Sequence, residues 1–178
     1  MPESATPAYR IGHGWDTHRI EAGRPLILGG IHIPCDFGLA GHSDADVLFH
    51  AVTDALLGAL ALGDIGMHFP DTAEEWKGAG SRRFLQHAAG FVATRGYQLA
   101  NIDSTIILEQ PKLRDFRAPI RENLAQAVGL PVTSVSVKFK TAEQVGPVGE
   151  GRSCEAHAVV LLVAAVSEPR AVLSEPRP

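Results

Sequence analysis

Cysteine is nearly absent from this chain. Its 178 residues carry two, Cys35 and Cys154, far apart and in no metal-type spacing. That excludes a disulfide framework and fits a reducing, cytoplasmic setting. Long apolar runs are missing too. The longest, Ala158 to Val166, falls well short of the roughly 20 residues a membrane helix needs, so no membrane partner is expected. The N-terminal stretch holds an acid and prolines where a signal peptide has an apolar run. Positive charge is not in excess either. A net charge of −4 and an isoelectric point of about 6.0 remove the broad basic footprint that nucleic acid requires. A phosphorylated ligand would need local neutralisation by metal ions, helix N-termini or a few basic side chains.

What remains is the makeup of one globular domain, 45% apolar and 20% charged, long enough to bury a core. That domain is expected over residues 9–166. A Pro-bearing tail at 1–8 precedes it, and a tail at 167–178 with a repeated Ser-Glu-Pro-Arg reads as disordered. Strand patterns start at Tyr9, at Leu26 to Ile33 with a glycine bend, at Tyr97 to Glu109, at Val132 to Phe139 and at Cys154 to Val166. The last is apolar on both faces in its second half, which points to burial or subunit contact. Helical periods run to about Leu62 from a cap at Ser43 or Asp44, from Ser81 to Arg95, and from Pro119 to Val128. This alternation favours an α/β sandwich, a mixed sheet with helices on one face.

The stretch from Gly41 to Asp54 carries the most chemistry. Ser43 and Asp46 make an imperfect capping box, and Leu48, Ala51, Val52, Ala55 and Ala59 form one apolar face. His42 precedes the cap, where free N–H groups favour an anion. His50 and Asp54 stack one turn apart. Near the N-terminus, Gly12 and Gly14 begin a dinucleotide fingerprint that Thr17 breaks. Asp16 and His18 follow in a loop at the strand end, two apart and pointing the same way. Gly63 to Thr72 reads either as a capped surface turn or as a lid over a polar ligand. Gly146 to Gly151 is a glycine-rich loop without the Gly-Lys-Ser/Thr of a P-loop.

Asp16, His18 and His50 make a candidate three-ligand metal site. Three protein ligands leave a fourth tetrahedral position open, as in catalytic zinc sites. Asp54 is placed to receive the far N–H of the His50 ring. The blander reading is a hydrogen-bonded core histidine and a solvated carboxylate. The other five histidines, His13, His32, His68, His87 and His157, show no such spacing.

Several motifs in order resemble the 2-C-methyl-D-erythritol 2,4-cyclodiphosphate synthase family of the non-mevalonate isoprenoid pathway. They are Arg10-Ile11-Gly12-His13-Gly14 with Asp16-Thr17-His18-Arg19, then Gly41-His42-Ser43-Asp44-Ala45-Asp46-Val47 with His50-Ala51. Asp54-Ala55-Leu56-Leu57-Gly58-Ala59, Leu62-Gly63-Asp64-Ile65-Gly66 and Phe69-Pro70-Asp71-Thr72 follow. Asn101-Ile102-Asp103, Gln110-Pro111-Lys112 and Thr141-Ala142-Glu143 close the set. The resemblance spans roughly Arg10 to Val166. It implies a homotrimer with sheets facing the threefold axis and active sites at subunit boundaries. It implies a cytidine diphosphate substrate, 4-diphosphocytidyl-2-C-methyl-D-erythritol 2-phosphate, cyclised with loss of CMP.

By the same resemblance, Asp16, His18 and His50 hold zinc, and Glu143 holds magnesium or manganese. His42, Ser43 and Thr141 contact phosphate oxygens, with His42 and Thr141 stabilising the transition state and Thr17 beside them. The erythritol part falls to Asp64, Ile65, Gly66, Phe69, Pro70, Asp71, Thr72 and Ala73. Leu108, Pro111, Lys112, Leu113 and Arg114, with Phe139, Lys140 and Ala142, form a cytidine pocket supplied by a neighbouring subunit. Two features depart from the family pattern. Phe139 and Lys140 stand where alanine and threonine are usual, and the loop from Gly146 to Gly151 is two residues short and lacks an arginine. A zinc-dependent phosphohydrolase and a metal-stabilised nucleotide-binding trimer are the alternatives.

Overall fold

The computed structural model describes residues 7–70 and 79–165. Its frame is a five-stranded mixed sheet in the order β4-β1-β7-β5-β6. The strands are β1 (Tyr9–Ala22), β4 (Phe37–Leu39), β5 (Tyr97–Ile107), β6 (Val135–Lys140) and β7 (Ser153–Ala164). Only β5 and β6 run parallel; the other pairs are antiparallel. A separate hairpin joins β2 (Leu26–Leu28) to β3 (Ile31–Ile33). Its turn is Gly29-Gly30, both at positive φ, which suits a two-residue hairpin loop.

Period-2 alternation sorts the sheet's two faces. One carries Gly12 and Gly14 of β1, Ala156, Ala158, Val160 and Leu162 of β7, and Ile102 and Ile106 of β5, all buried. The long helices α1 (Val47–Ala59), α3 (Ser81–Thr94) and α4 (Arg117–Val128) complete the core. The closest approach is α1 on β1. A Cβ built on Gly12 would stand 1.8 Å from the Ala55 carbonyl oxygen, and one on Gly14 1.9 Å from that of Ala51. These glycines are therefore a seat for α1, whose facing residues are the small Ala51, Ala55 and Ala59. The opposite sheet face carries Tyr9, Ile11, Trp15 and Val159, all exposed.

The α/β sandwich expected from the sequence is present, and several boundaries differ. Asp16 and His18 lie inside β1, not in a loop at its end. Pairing with β7 runs past His18 to Arg19 opposite Ser153, and β4 then takes over at Ile20. The cap of α1 is Asp46, whose carboxylate accepts Leu48 N–H and Phe49 N–H. Neither Ser43 nor Asp44 does this. Residues Val132–Ser134 form a 3-10 turn ahead of β6, and Gly146–Gly149 a short helix, α5. Strand β4 was not foreseen, because three residues are too few to show alternation. At the N-terminus, Pro7 and Ala8 are already tied down: their carbonyls accept from Tyr97 Oη and Ala164 N–H.

Candidate metal centre

Two elements converge at one end of the sheet. Asp16 and His18 project from β1 on the helix-facing side, and the α1 seat brings His50 over them. His18 Nε2 and His50 Nδ1 each lie 3.0 Å from Asp16 Oδ2, and the two nitrogens are 3.1 Å apart. These edges fall just inside the ~3.3 Å edge of a tetrahedron with bonds of ~2.0–2.1 Å, which suits a small divalent cation. Both remaining ring nitrogens are occupied. His18 Nδ1 lies 2.6 Å from the Ala40 carbonyl, so that nitrogen carries the proton and Nε2 offers its lone pair. His50 Nε2 lies 2.8 Å from Ser81 Oγ. Imidazoles anchored on the far nitrogen are what a ligating pair requires.

The electrostatics agree. Burial alone would raise the Asp16 pKa, but hydrogen bonds and charge from both histidines hold it well below the usual carboxylate range. Burial alone would lower His18, yet the Asp16 hydrogen bond and charge raise it.

The expected partnership of Asp54 with His50 is replaced by Ser81. Asp54 accepts instead from Ile65 N–H at 2.7 Å, at the first residue of the short helix α2 (Ile65–His68). The anion site expected at the start of α1 is filled by Asp46 itself, fully buried, which also accepts Gly29 N–H and Gly30 N–H at 2.9 and 2.6 Å. Burial lifts the Asp46 pKa to about 6, against the pull of those N–H donors.

The remaining candidates fall into three places. His42 is exposed, on a loop that crosses His18; a Cβ on Gly41 would lie 3.3 Å from His18 Cε1. Arg24 braces this loop by donating to the carbonyls of Gly41 and Ser43. Asp64 caps α2 by accepting Met67 N–H at 3.0 Å, with Ile65 and Gly66 in its first turn. Phe69 is buried against Phe84, whose ring lies 6.4 Å from that of His50. Asp71, Thr72 and Ala73 lie outside the described residues.

The third group sits across the sheet. Leu108 N–H donates to the Lys140 carbonyl, and Ala142 N–H to Glu109 Oε2. These bonds gather the turn from Leu108 through Pro111, Lys112, Leu113 and Arg114 beside Lys140, Thr141, Ala142 and Glu143. The Thr141 hydroxyl donates to the Glu143 carboxylate, and Phe139 lies under the Arg117 guanidinium. This group and the Asp16 cluster share one end of the sheet, since His18 pairs with Cys154, Glu155 with Ile107, and Ile107 with Lys140. They are three strand spacings apart, roughly 14 Å at ~4.8 Å each. Within one chain they do not meet.

Ser81 and Asp44, which the structure brings to the far side of the His50 ring, were not among the residues expected at the site. Their only sequence signal is position, a serine opening a helix and an acid near a cap, which is common to many helix starts.

Residues 9–163 match the YgbB family. A 2-C-methyl-D-erythritol 2,4-cyclodiphosphate synthase from Solibacter usitatus is 65% identical over 153 residues, 86% of this chain and 96% of that protein. A 2C-methyl-D-erythritol-2,4-cyclodiphosphate synthase solved with CDP bound is 43% identical, with a TM-score of 0.81 over 86% of this chain and 99% of that one. The IspF of Plasmodium falciparum, also solved as a CDP complex, is 32% identical, with a TM-score of 0.80 over 90% of this chain and 99% of that one.

Proposed function

The chain belongs to the YgbB family, and from that premise we propose how its residues carry out the family's reaction. The protein converts 4-diphosphocytidyl-2-C-methyl-D-erythritol 2-phosphate to 2-C-methyl-D-erythritol 2,4-cyclodiphosphate and CMP. The observation that carries this reading is the Asp16–His18–His50 cluster, with edges of about 3 Å and its far ring nitrogens anchored.

A 2-phosphate oxygen attacks the β-phosphorus, the bond from that phosphorus to the oxygen bridging to the α-phosphate breaks, and CMP leaves with that oxygen. Nucleophile and electrophile belong to one molecule, so the protein's main task is to fold the substrate into an attacking pose. No covalent protein nucleophile is needed. The second task is to offset repulsion between two anionic groups. Asp16, His18 and His50 would hold a divalent cation, zinc by donor chemistry, which would supply Lewis acidity and positive charge to the phosphoryl transfer. Glu143, an exposed carboxylate, would hold magnesium or manganese and so supply further positive charge. His42, Ser43 and Thr141 donate to phosphate oxygens; Thr17 stands between Asp16 and His18 in β1, its hydroxyl donating to the Cys154 carbonyl. Asp64 to Gly66 and Phe69 to Ala73 hold the erythritol part. The Leu108–Arg114 turn with Phe139, Lys140 and Ala142 cradles cytidine.

The separation of roughly 14 Å, three strand spacings, between the two groups calls for a second copy to complete each site. The exposed apolar sheet face supplies a surface for it. Tyr9 is 67% exposed, Ile11 72%, Trp15 48% and Val159 41%, a patch that stable monomers rarely leave uncovered. A homotrimer with these faces toward its axis covers the patch and places the nucleotide group of one copy beside the metal cluster of the next.

The test is incubation of purified protein with substrate and a divalent cation, followed by phosphorus NMR. CMP and the cyclic diphosphate are expected. Release of inorganic phosphate or a linear product would establish a hydrolase instead. His50→Ala should abolish turnover while assembly persists; loss of assembly would favour a metal-stabilised scaffold.

A further inference from the structure

Ser81 opens α3, and its side chain is fully buried. Its hydroxyl donates to Asp44 Oδ1, and Asp44 also accepts Ser81 N–H at 3.1 Å. On its other side Ser81 Oγ lies 2.8 Å from His50 Nε2. A helix-start serine held by a distant carboxylate is in part a cap, because the residue before it, Gly80, has no side chain to provide one. The contact with His50 goes beyond capping, and its direction follows from counting protons.

A carboxylate can only accept, and a serine hydroxyl has one proton. That proton is committed to Asp44. The hydroxyl oxygen must therefore accept from His50, so His50 Nε2 carries the N–H, and in the neutral ring, the form that can bind a cation, Nδ1 carries the lone pair. Nδ1 is the nitrogen that faces Asp16 Oδ2 at 3.0 Å and His18 Nε2 at 3.1 Å. Ser81 itself is excluded from solvent. Ser43 Oγ, 3.3 Å from Ser81 Oγ, closes the other side of the hydroxyl.

We infer that Ser81, backed by Asp44, is a positioning residue that fixes the tautomer and ring orientation of His50 and so sets the affinity of the Asp16–His18–His50 cluster for its cation. The inference rests on the metal-holding role proposed above. The Ser81–His50 contact also ties the start of α3 to the metal cluster on α1, a link between elements that the sheet does not connect.

The test uses zinc alone as the probe on the purified full chain. Chelator competition should show Ser81→Ala binding zinc about 10–100-fold more weakly than wild type, the range for losing a hydrogen-bond partner of a ligating histidine. His50→Ala is run beside it. If wild type and His50→Ala bind zinc equally, the metal-holding role itself fails. If His50→Ala loses zinc and Ser81→Ala keeps wild-type affinity, only the relay fails. A second measurement needs no variant. Ring-nitrogen NMR of zinc-loaded wild type should show the His50 proton on Nε2, in slow exchange with water. A proton on Nδ1 overturns the inference whatever the variant does.

Discussion

Gly14→Ala tests the step on which the site depends, the seating of α1 on β1. The new Cβ would stand 1.9 Å from the Ala51 carbonyl oxygen and 2.7 Å from Ala55 N. Both are backbone atoms in the middle of a helix, so no side chain can swing aside. Reaching an ordinary contact of roughly 3.2 Å needs about 1.3 Å of separation between strand and helix, in an interior packed to crystal density. Overpacking on this scale costs ~3 kcal/mol or more. For a domain of this size that lowers Tm by about 6–12 °C, at ~2–4 °C per kcal/mol. His50 is next to Ala51 and would move with it, whereas ligand distances tolerate only ~0.2 Å. The assay is thermal unfolding of wild type and variant, each with zinc and with chelator. The variant should unfold earlier, and the rise in Tm that zinc gives wild type should vanish. A variant that melts within about 2 °C of wild type and gains the same zinc-dependent rise would refute the argument.

Four further outcomes are expected. Gly90→Ala should stabilise the protein by ~0.5–1 kcal/mol, because Gly90 lies inside α3 with nothing within 4 Å of a new Cβ, and thermal unfolding measures it. Asp46→Ala should cost ~2–4 kcal/mol by denaturant titration, because it strands four N–H groups, those of Gly29, Gly30, Leu48 and Phe49, and removes a helix cap. In metal-free protein, NMR titration should place the His18 midpoint above the ordinary 6.5, and Asp16→Asn should lower it. The charged ring then stabilises the metal-free fold fully below about 6.5, and that contribution fades as pH rises through the folded value. Val159→Asp, on the exposed sheet face, should leave a folded chain that sediments as a smaller species; an unchanged oligomer would count against the trimer proposed here.

Much of this architecture was legible in the chain because periodicity reports on local environment. Of the α3 face read from spacing, Phe84, Leu85, Ala88 and Val92 are buried and Phe91 is half-buried, and the Gly29-Gly30 bend is a hairpin turn. Asp16, His18 and His50 could be named together because three ligand-type residues in a motif-rich frame are unusual. Their distances could not be read, nor could the reason they meet. Gly12 and Gly14 looked like the start of a nucleotide fingerprint, and their part is to let a helix touch a strand.

Sequence alone thus determined which side chains were available for the chemistry and which faces had to be buried, since both follow from residue type and local period. Tertiary structure decided the pairings. Ser81 rather than Asp54 meets His50, Asp46 rather than Ser43 caps α1, and the turn from Leu108 to Arg114 lies across the sheet from the Asp16 cluster. Those outcomes depend on strand order and on how closely a helix can approach a sheet, quantities set by contacts between residues distant in the chain.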